Sequence, residues 1–146
     1  SIYFIFATML QLQVIKMIKE CGLTVTKIRK KVLSAFLSSN KPLSVSDIKT
    51  LVGYIDRVTL FRILIAFEEK KVIHVIRLDN GDKLFALCES TCDTENHNHD
   101  HIHFECENCK DVSCLPVQNF PQFKIPNYMI NNVNININGL CVSCNK

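Results

Sequence analysis

Residues 56–87 read DRVTLFRILIAFEEKKVIHVIRLDNGDKLFAL, and this stretch decides the fold of the first half of the chain. Asp56 is a helix N-cap, and Leu60, Leu64 and Phe67 recur at the spacing of one buried helical face. Arg57, Phe61 and Arg62 then fall toward solvent, in a helix that runs to about Lys71. Val72–Leu78 and Lys83–Leu87 are rich in branched and aromatic residues, as strands are. They meet at Asn80-Gly81, which tolerates the positive φ of a tight hairpin turn.

Upstream, three further apolar periodicities precede this helix and hairpin. Leu10, Val14, Met17 and Ile18 suit an amphipathic helix closed by Gly22. Thr24 or Thr26 caps the next, whose buried stripe is Ile28, Val32, Leu33, Phe36 and Leu37, and Asn40-Lys41-Pro42 ends it. Ser44-Val-Ser-Asp47 is a capping box for a third, with Ile48, Leu51 and Val52 inward and Gly53 as the stop. Helices followed by a strand pair are the plan of a winged helix, a helix-turn-helix whose hairpin grips DNA backbone.

Downstream, Cys88–Asn98 is polar and without period, and reads as a linker. Ile102 and Phe104 then alternate with His101, His103 and Glu105 as in a half-buried strand. Val133, Ile135 and Ile137 alternate with asparagines in a second. Pro116, Pro121 and Pro126 leave little room for a long helix between them. The expected organisation is α+β: a winged-helix DNA-binding domain over 9–87, a hinge over 88–100, and a small zinc-stabilised α/β dimerisation domain over 101–146.

Charge divides along the same line. Residues 1–86 carry 14 Lys/Arg against 7 Asp/Glu, and residues 87–146 carry 3 against 7, within a net charge of +3. A basic first half suits a polyanion and an acidic, ligand-rich second half a cation, although a lysine-rich helix surface alone gives the same bias. Eight cysteines without a basic, cleavable leader fit metal-bound thiolates in a reducing cytoplasm. Ser1–Leu10 is apolar but too short to cross a membrane, and Met9 offers a natural first residue.

Cys106-x-x-Cys109 and Cys141-x-x-Cys144 have the spacing of two zinc knuckles, four thiolates for one tetrahedral Zn2+ with no open position. A redox reading of each pair is opposed by Glu105 and Glu107, which flank Cys106 where a reactive thiol needs positive potential. His97, His99, His101 and His103 share one side of an extended chain. His101 and His103 are the better ligands, since Ile102 and Phe104 anchor their strand. No open ligand set with a partnered Glu and His is present, so no enzyme and no small-molecule substrate is expected.

The chain resembles the ferric uptake regulator (Fur) family over about residues 20–146. Gly22-Leu-Thr-Val-Thr26-Lys-Ile-Arg29 resembles that family's opening helix, and Leu43-Ser-Val-Ser-Asp47-Ile its capped second helix. Arg57-Val-Thr59-Leu-Phe61-Arg62 followed by Phe67-Glu-Glu resembles its recognition helix. His101-Ile-His103-Phe-Glu-Cys106 through Cys109, and Gly139-Leu-Cys141 through Cys144, match its metal-binding half.

The resemblance implies a cytoplasmic homodimeric repressor of metal-homeostasis genes on a double-stranded DNA operator. It implies structural Zn2+ at the four knuckle cysteines and a second, regulatory Zn2+ or Fe2+ at His101 and His103. The family pattern is broken at Pro42, Ala86 and Cys114, where ligands usually stand. Cys114, with Cys88 or Cys92, is therefore a candidate replacement ligand, the alternative being three ordinary small buried cysteines; His99, like His97, is either a further ligand or part of a solvated, loosely metal-attracting tract. Thr59, Phe61 and Arg62 match groove-facing positions, with Phe61 where the family often has tyrosine. Arg62, Arg57, Arg29 and Lys83 are phosphate candidates, giving register rather than sequence choice. Against this stand a core Phe61 and a merely solvated arginine face. Two other readings are open: a DNA-binding module whose zinc is only structural, and peroxide sensing through the regulatory metal.

Overall fold

A computed structural model describes residues 1–88, 101–116, 119, 121–131 and 133–146, and the backbone alone of His101 and Pro116. It divides into two compact units, Ser1–His97 and Asn98–Lys146. The first contains α1 (Ile2–Glu20), α2 (Lys27–Ser38), α3 (Val45–Val52), α4 (Arg57–Glu69), β1 (Ile73–Arg77) and β2 (Lys83–Leu87). The second contains β3 (His101–Cys106), β4 (Val112–Pro116) and β5 (Asn136–Gly139).

The caps that start these helices are side chains accepting orphan N–H groups. Thr26 accepts from the Arg29 N–H at 3.2 Å. Ser44 and Asp47 form a reciprocal capping box, with the Ser44 N–H donating to Asp47 Oδ2 at 2.9 Å and the Asp47 N–H to Ser44 Oγ at 3.1 Å. Asp56 accepts from the N–H groups of Val58 and Thr59. Helix α4 ends where Lys71 turns into the left-handed region at φ 58°, so that the Val72 N–H reaches back to the Phe67 carbonyl at 2.8 Å.

Val14, Ile18, Val32, Leu33, Ile48, Leu60, Leu64 and Phe67 build the core of this unit. Ile63 joins the buried face of α4 beside the three positions expected from the periodicity. Leu51 does not turn inward, being 57% exposed; α3 is only 8 residues long, and Ile48 and Val52 already fill its inner face. The hairpin pairs Ile73 with Leu87 through Arg77 with Lys83, and Gly81 takes φ 90° at its turn. Leu43 and Phe85 exchange two N–H···O bonds of 2.8 Å, which fastens the α2–α3 connection to the hairpin.

Helix α1 starts well before Leu10. It has 19 residues, and an 18-residue window of it has a mean hydropathy of 1.3, so the whole helix, unlike Ser1–Leu10 taken alone, is long and apolar enough to cross a membrane by length and composition. Yet Val14 and Ile18 in its second half are buried in the core of the unit. Ile2, Tyr3, Phe4 and Phe6 in its first half are exposed.

The second unit is a sheet of order β4-β3-β5. Strand β3 runs antiparallel to β4 and parallel to β5. β4 was not expected, because its five residues end in Pro116 and show only weak alternation. The last strand lies over Asn136–Gly139 rather than Val133–Ile137, because β5 pairs with β3 from His103 onward.

Candidate metal centre and nucleic-acid interface

The parallel pairing of β3 with β5 places Cys106 level with Gly139, two residues before the second knuckle. A Cβ on Gly139 would sit 3.4 Å from the Phe104 ring, so the strands approach tightly here. Each strand end then folds into a turn: the Lys110 N–H donates to the Cys106 carbonyl, and the Asn145 and Cys144 N–H groups to that of Cys141. The result brings Cys106, Cys109, Cys141 and Cys144 together with all four sulfurs within 4.8 Å of one another. Cys109 Sγ and Cys141 Sγ are 3.8 Å apart. Zn–S bonds of about 2.3 Å in a tetrahedron require about that separation, so the donor set fits zinc.

The surroundings favour thiolate at one corner. The Cys141 N–H, which donates to Cys106 Sγ at 3.4 Å, and then the Cys109 N–H hold the Cys106 thiol down at about 6. An N–H from Asp111 acts the same way on Cys109. There the sulfur of Cys106, burial, and the sulfurs of Cys141 and Cys144 outweigh it and push the thiol up to about 12. The Cys106 thiolate therefore forms readily, while Cys109 holds its proton until a cation offsets the repulsion between neighbouring sulfurs. Asn108 Nδ2 donates to Cys144 Sγ at 3.3 Å, a further bond to a prospective ligand.

His103 and Cys114 face each other as register partners across β3 and β4. His103 is buried at 7% exposure, more so than Ile102 and Phe104, which reverses the expected sense of burial on this strand. Its Nδ1 lies 3.3 Å from Asn136 Oδ1. Cys114 is half-buried. His101 sits on the same strand as His103, with only its backbone described, while Cys92, His97 and His99 lie outside the described residues.

In the first unit Cys88 is buried directly after β2, and its Sγ lies 3.5 Å from His74 Nδ1. The sequence reading missed His74. The turn at Asn80-Gly81 fixes a register in which His74 opposes Ala86, two residues from Cys88 and on the same face. That register was the signal that could have found it.

On α4, Arg57 and Arg62 are exposed and Phe61 is half-buried, so Phe61 is neither a core residue nor fully free. The Arg57 guanidinium lies over the Phe61 ring at 5.5 Å from its centroid. The Thr59 hydroxyl donates to Asp56 Oδ2, which places it in the cap of the helix. Arg29 Nη1 donates to the Thr24 carbonyl at 2.8 Å and so holds the loop before α2. Lys83 is exposed beside the hairpin turn.

A model of the ferric uptake regulator family matches residues 20–138. The ferric uptake regulation protein of Staphylococcus epidermidis is 30% identical over 139 residues, covering 90% of this chain and 94% of that protein. Among solved structures, the ferric uptake regulator of Helicobacter pylori aligns at a TM-score of 0.57 with 19% identity, over 93% of this chain and 92% of its own. A zinc uptake regulator in complex with zinc and DNA aligns at 0.63 with 18% identity, over 94% and 93%. Those two likenesses concern the fold; the sequence match spans the winged helix, the β3 histidines and the first cysteine knuckle, and the chain belongs to the ferric uptake regulator family of metal-responsive transcriptional regulators.

Proposed function

We propose that this chain is a cytoplasmic repressor that binds a double-stranded DNA operator as a homodimer when a second divalent ion is bound. The observation that carries the reading is the separation of donors within the second unit: four clustered thiols at one end of β3, and the His103–Cys114 pair facing each other across β3 and β4. The first set has no position left for exchange and suits a permanent structural Zn2+. His101, His103 and Cys114 are the ligands proposed for the regulatory ion, with Cys92 and His99 as further candidates. His74 and Cys88 form a donor pair of the same mixed kind in the first unit.

The regulatory ion supplies positive charge and a fixed geometry to these side chains. Thiolate and imidazole together are softer than a carboxylate-rich set, which favours Zn2+ over Fe2+. Metal and DNA are then linked: whatever factor the ion adds to DNA affinity, DNA adds to metal affinity. On the DNA side, Phe61 offers apolar contact to a thymine methyl, and Arg57, Arg62 and Lys83 offer charge to phosphates. Arg29 and Thr59 are better placed as supports of the loop before α2 and of the α4 cap. The exposed edge of β5, with Ile137 and Leu140 open to solvent, is the proposed dimer contact.

Metal analysis of the protein purified without added metal, followed by operator binding with Zn2+, Fe2+ or neither, tests the reading. One retained zinc per chain and a second, labile ion needed for DNA binding are expected. Operator binding that ignores the second ion would leave a DNA-binding module with a structural zinc. Loss of binding only on oxidation of the iron-loaded form would select peroxide sensing.

A further inference from the structure

We propose that Asn136 is the positioning residue that fixes the tautomer of His103 and thereby selects Nε2 as its metal-binding nitrogen. The inference rests on the reading of His103 as a regulatory ligand and extends it to a residue on another strand.

In the parallel pairing of β3 with β5, His103 is level with Asn136. The His103 N–H donates to the carbonyl of Ile135 at 2.9 Å, so the two backbones are clamped at this point. Partners across a sheet project to the same side, and here Asn136 Oδ1 lies 3.3 Å from His103 Nδ1. An amide oxygen only accepts. With that oxygen toward the ring, the contact calls for the proton on Nδ1, which leaves the Nε2 lone pair to coordinate a cation.

Asn136 belongs to an alternating series with Asn134 and Asn138, which suggests only a solvated strand face. Register separates it from its neighbours: Asn138 opposes Glu105, and within β5 the asparagine level with a histidine is Asn136. A neutral amide orients the ring without adding charge next to the ion. A carboxylate there would raise the basicity of the imidazole and tighten the site. An amide thus suits an ion that must leave when its concentration falls.

The test uses the full chain with the four-cysteine zinc retained and the labile ion removed. Long-range 15N–1H correlation at about pH 8, above the ordinary histidine range, reads the tautomer directly. Wild type is expected to carry the proton on Nδ1. Asn136→Ala should move it wholly or partly to Nε2 and weaken the second Zn2+ by roughly 10- to 100-fold, with one tightly held zinc unchanged. Asn136→Asp keeps an acceptor and should restore the tautomer and hold the second Zn2+ at least as tightly as wild type. Preserved β3 and β5 amide signals in each variant establish that the sheet is intact.

A proton on Nε2 in wild type, or a tautomer indifferent to Asn136→Ala, would overturn the role of Asn136. His103→Ala tells the two ideas apart. If that variant keeps the second Zn2+ at full affinity, His103 is not a ligand and the underlying reading fails. If it loses the ion while Asn136→Ala does not, only the positioning role is lost.

Discussion

Removing the zinc expected at Cys106, Cys109, Cys141 and Cys144 should unfold the second unit and leave the first standing. Among the described residues of that unit, only Cys106, Val112 and His103 are buried. Full burial of a valine contributes about 1.5–3 kcal/mol, against roughly 1–2 kcal/mol for each residue whose backbone is fixed. Three strands of 6, 5 and 4 residues cannot be held by that core. A structural zinc contributes about 10–16 kcal/mol at neutral pH, so the expected ion would be the dominant stabilising contact. The first unit keeps its own core from Val14 to Phe85 and has no share in the four-cysteine cluster. Stripping the metal with a strong chelator under reducing conditions, or substituting Cys141→Ser, should collapse the amide signals of β3, β4 and β5 to random-coil positions. Those of α1 to α4 should stay in place, and readdition of Zn2+ to the stripped wild type should restore the sheet. A metal-free protein that retains dispersed, exchange-protected β3 amides would refute the reasoning, because no other buried contact among the described residues of this unit is large enough to replace the ion.

Five smaller perturbations follow from the same geometry. Cys114→Ser and His103→Ala should each lower bound metal from two ions per chain to one by mass spectrometry under native conditions, and unchanged stoichiometry in either variant removes that residue from the regulatory set. Ser44→Ala should cost about 1 kcal/mol in denaturant midpoint analysis, since it takes away half of the α3 capping box. Asp47 is held below its ordinary 3.8 by the Ser44 N–H and then the Ser44 hydroxyl, so its contribution is complete above 3.8 and vanishes as pH falls through its lower folded value. Acid destabilisation below about pH 4 should therefore be shallower in Ser44→Ala than in wild type. Lys71→Gly should raise stability by roughly 1 kcal/mol, because only a residue without Cβ takes the left-handed turn after α4 freely. Arg62→Ala should flatten the dependence of log affinity on log salt by about one unit of slope, as expected for one lost phosphate contact; an unaltered slope with weaker binding would instead assign Arg62 to a base.

The legibility of this chain follows the range over which each signal acts. Helix caps and apolar periodicity are local, and Thr26, Ser44, Asp56 and the Leu60–Leu64–Phe67 stripe sit where the sequence puts them. The two cysteine knuckles were legible for the same reason, since each is a four-residue turn with its own spacing. β4 was not, because five residues ending in proline present no period long enough to detect. Pairing across strands was also hidden: parallel register between β3 and β5 is set by a connection of some thirty residues, and nothing local says that Asn136 stands beside His103. His74 lay between these cases. Its partner Cys88 is fixed by a short hairpin turn, so the pair was within reach of the sequence once that register was worked through.

The two kinds of donor set impose different duties. If the four-thiol site responded to metal, each loss of its ion would unfold the sheet that carries His103 and Cys114, and the signal would be degradation rather than release from DNA. A sensing ion must instead leave a folded protein, so it has to be bound through groups whose own packing survives its departure. His103 meets that condition. Its ring is buried, its backbone is clamped to Ile135 and its Nδ1 faces Asn136, contacts that do not pass through the exchangeable ion. The free energy required of such an ion is modest. A hundredfold rise in DNA affinity needs the ion to favour the DNA-bound form by only about 2.7 kcal/mol, far less than a structural zinc contributes to folding. The proposed function therefore requires a permanent ion with a large binding energy to build the sheet and an exchangeable one with a small coupling energy to report through it.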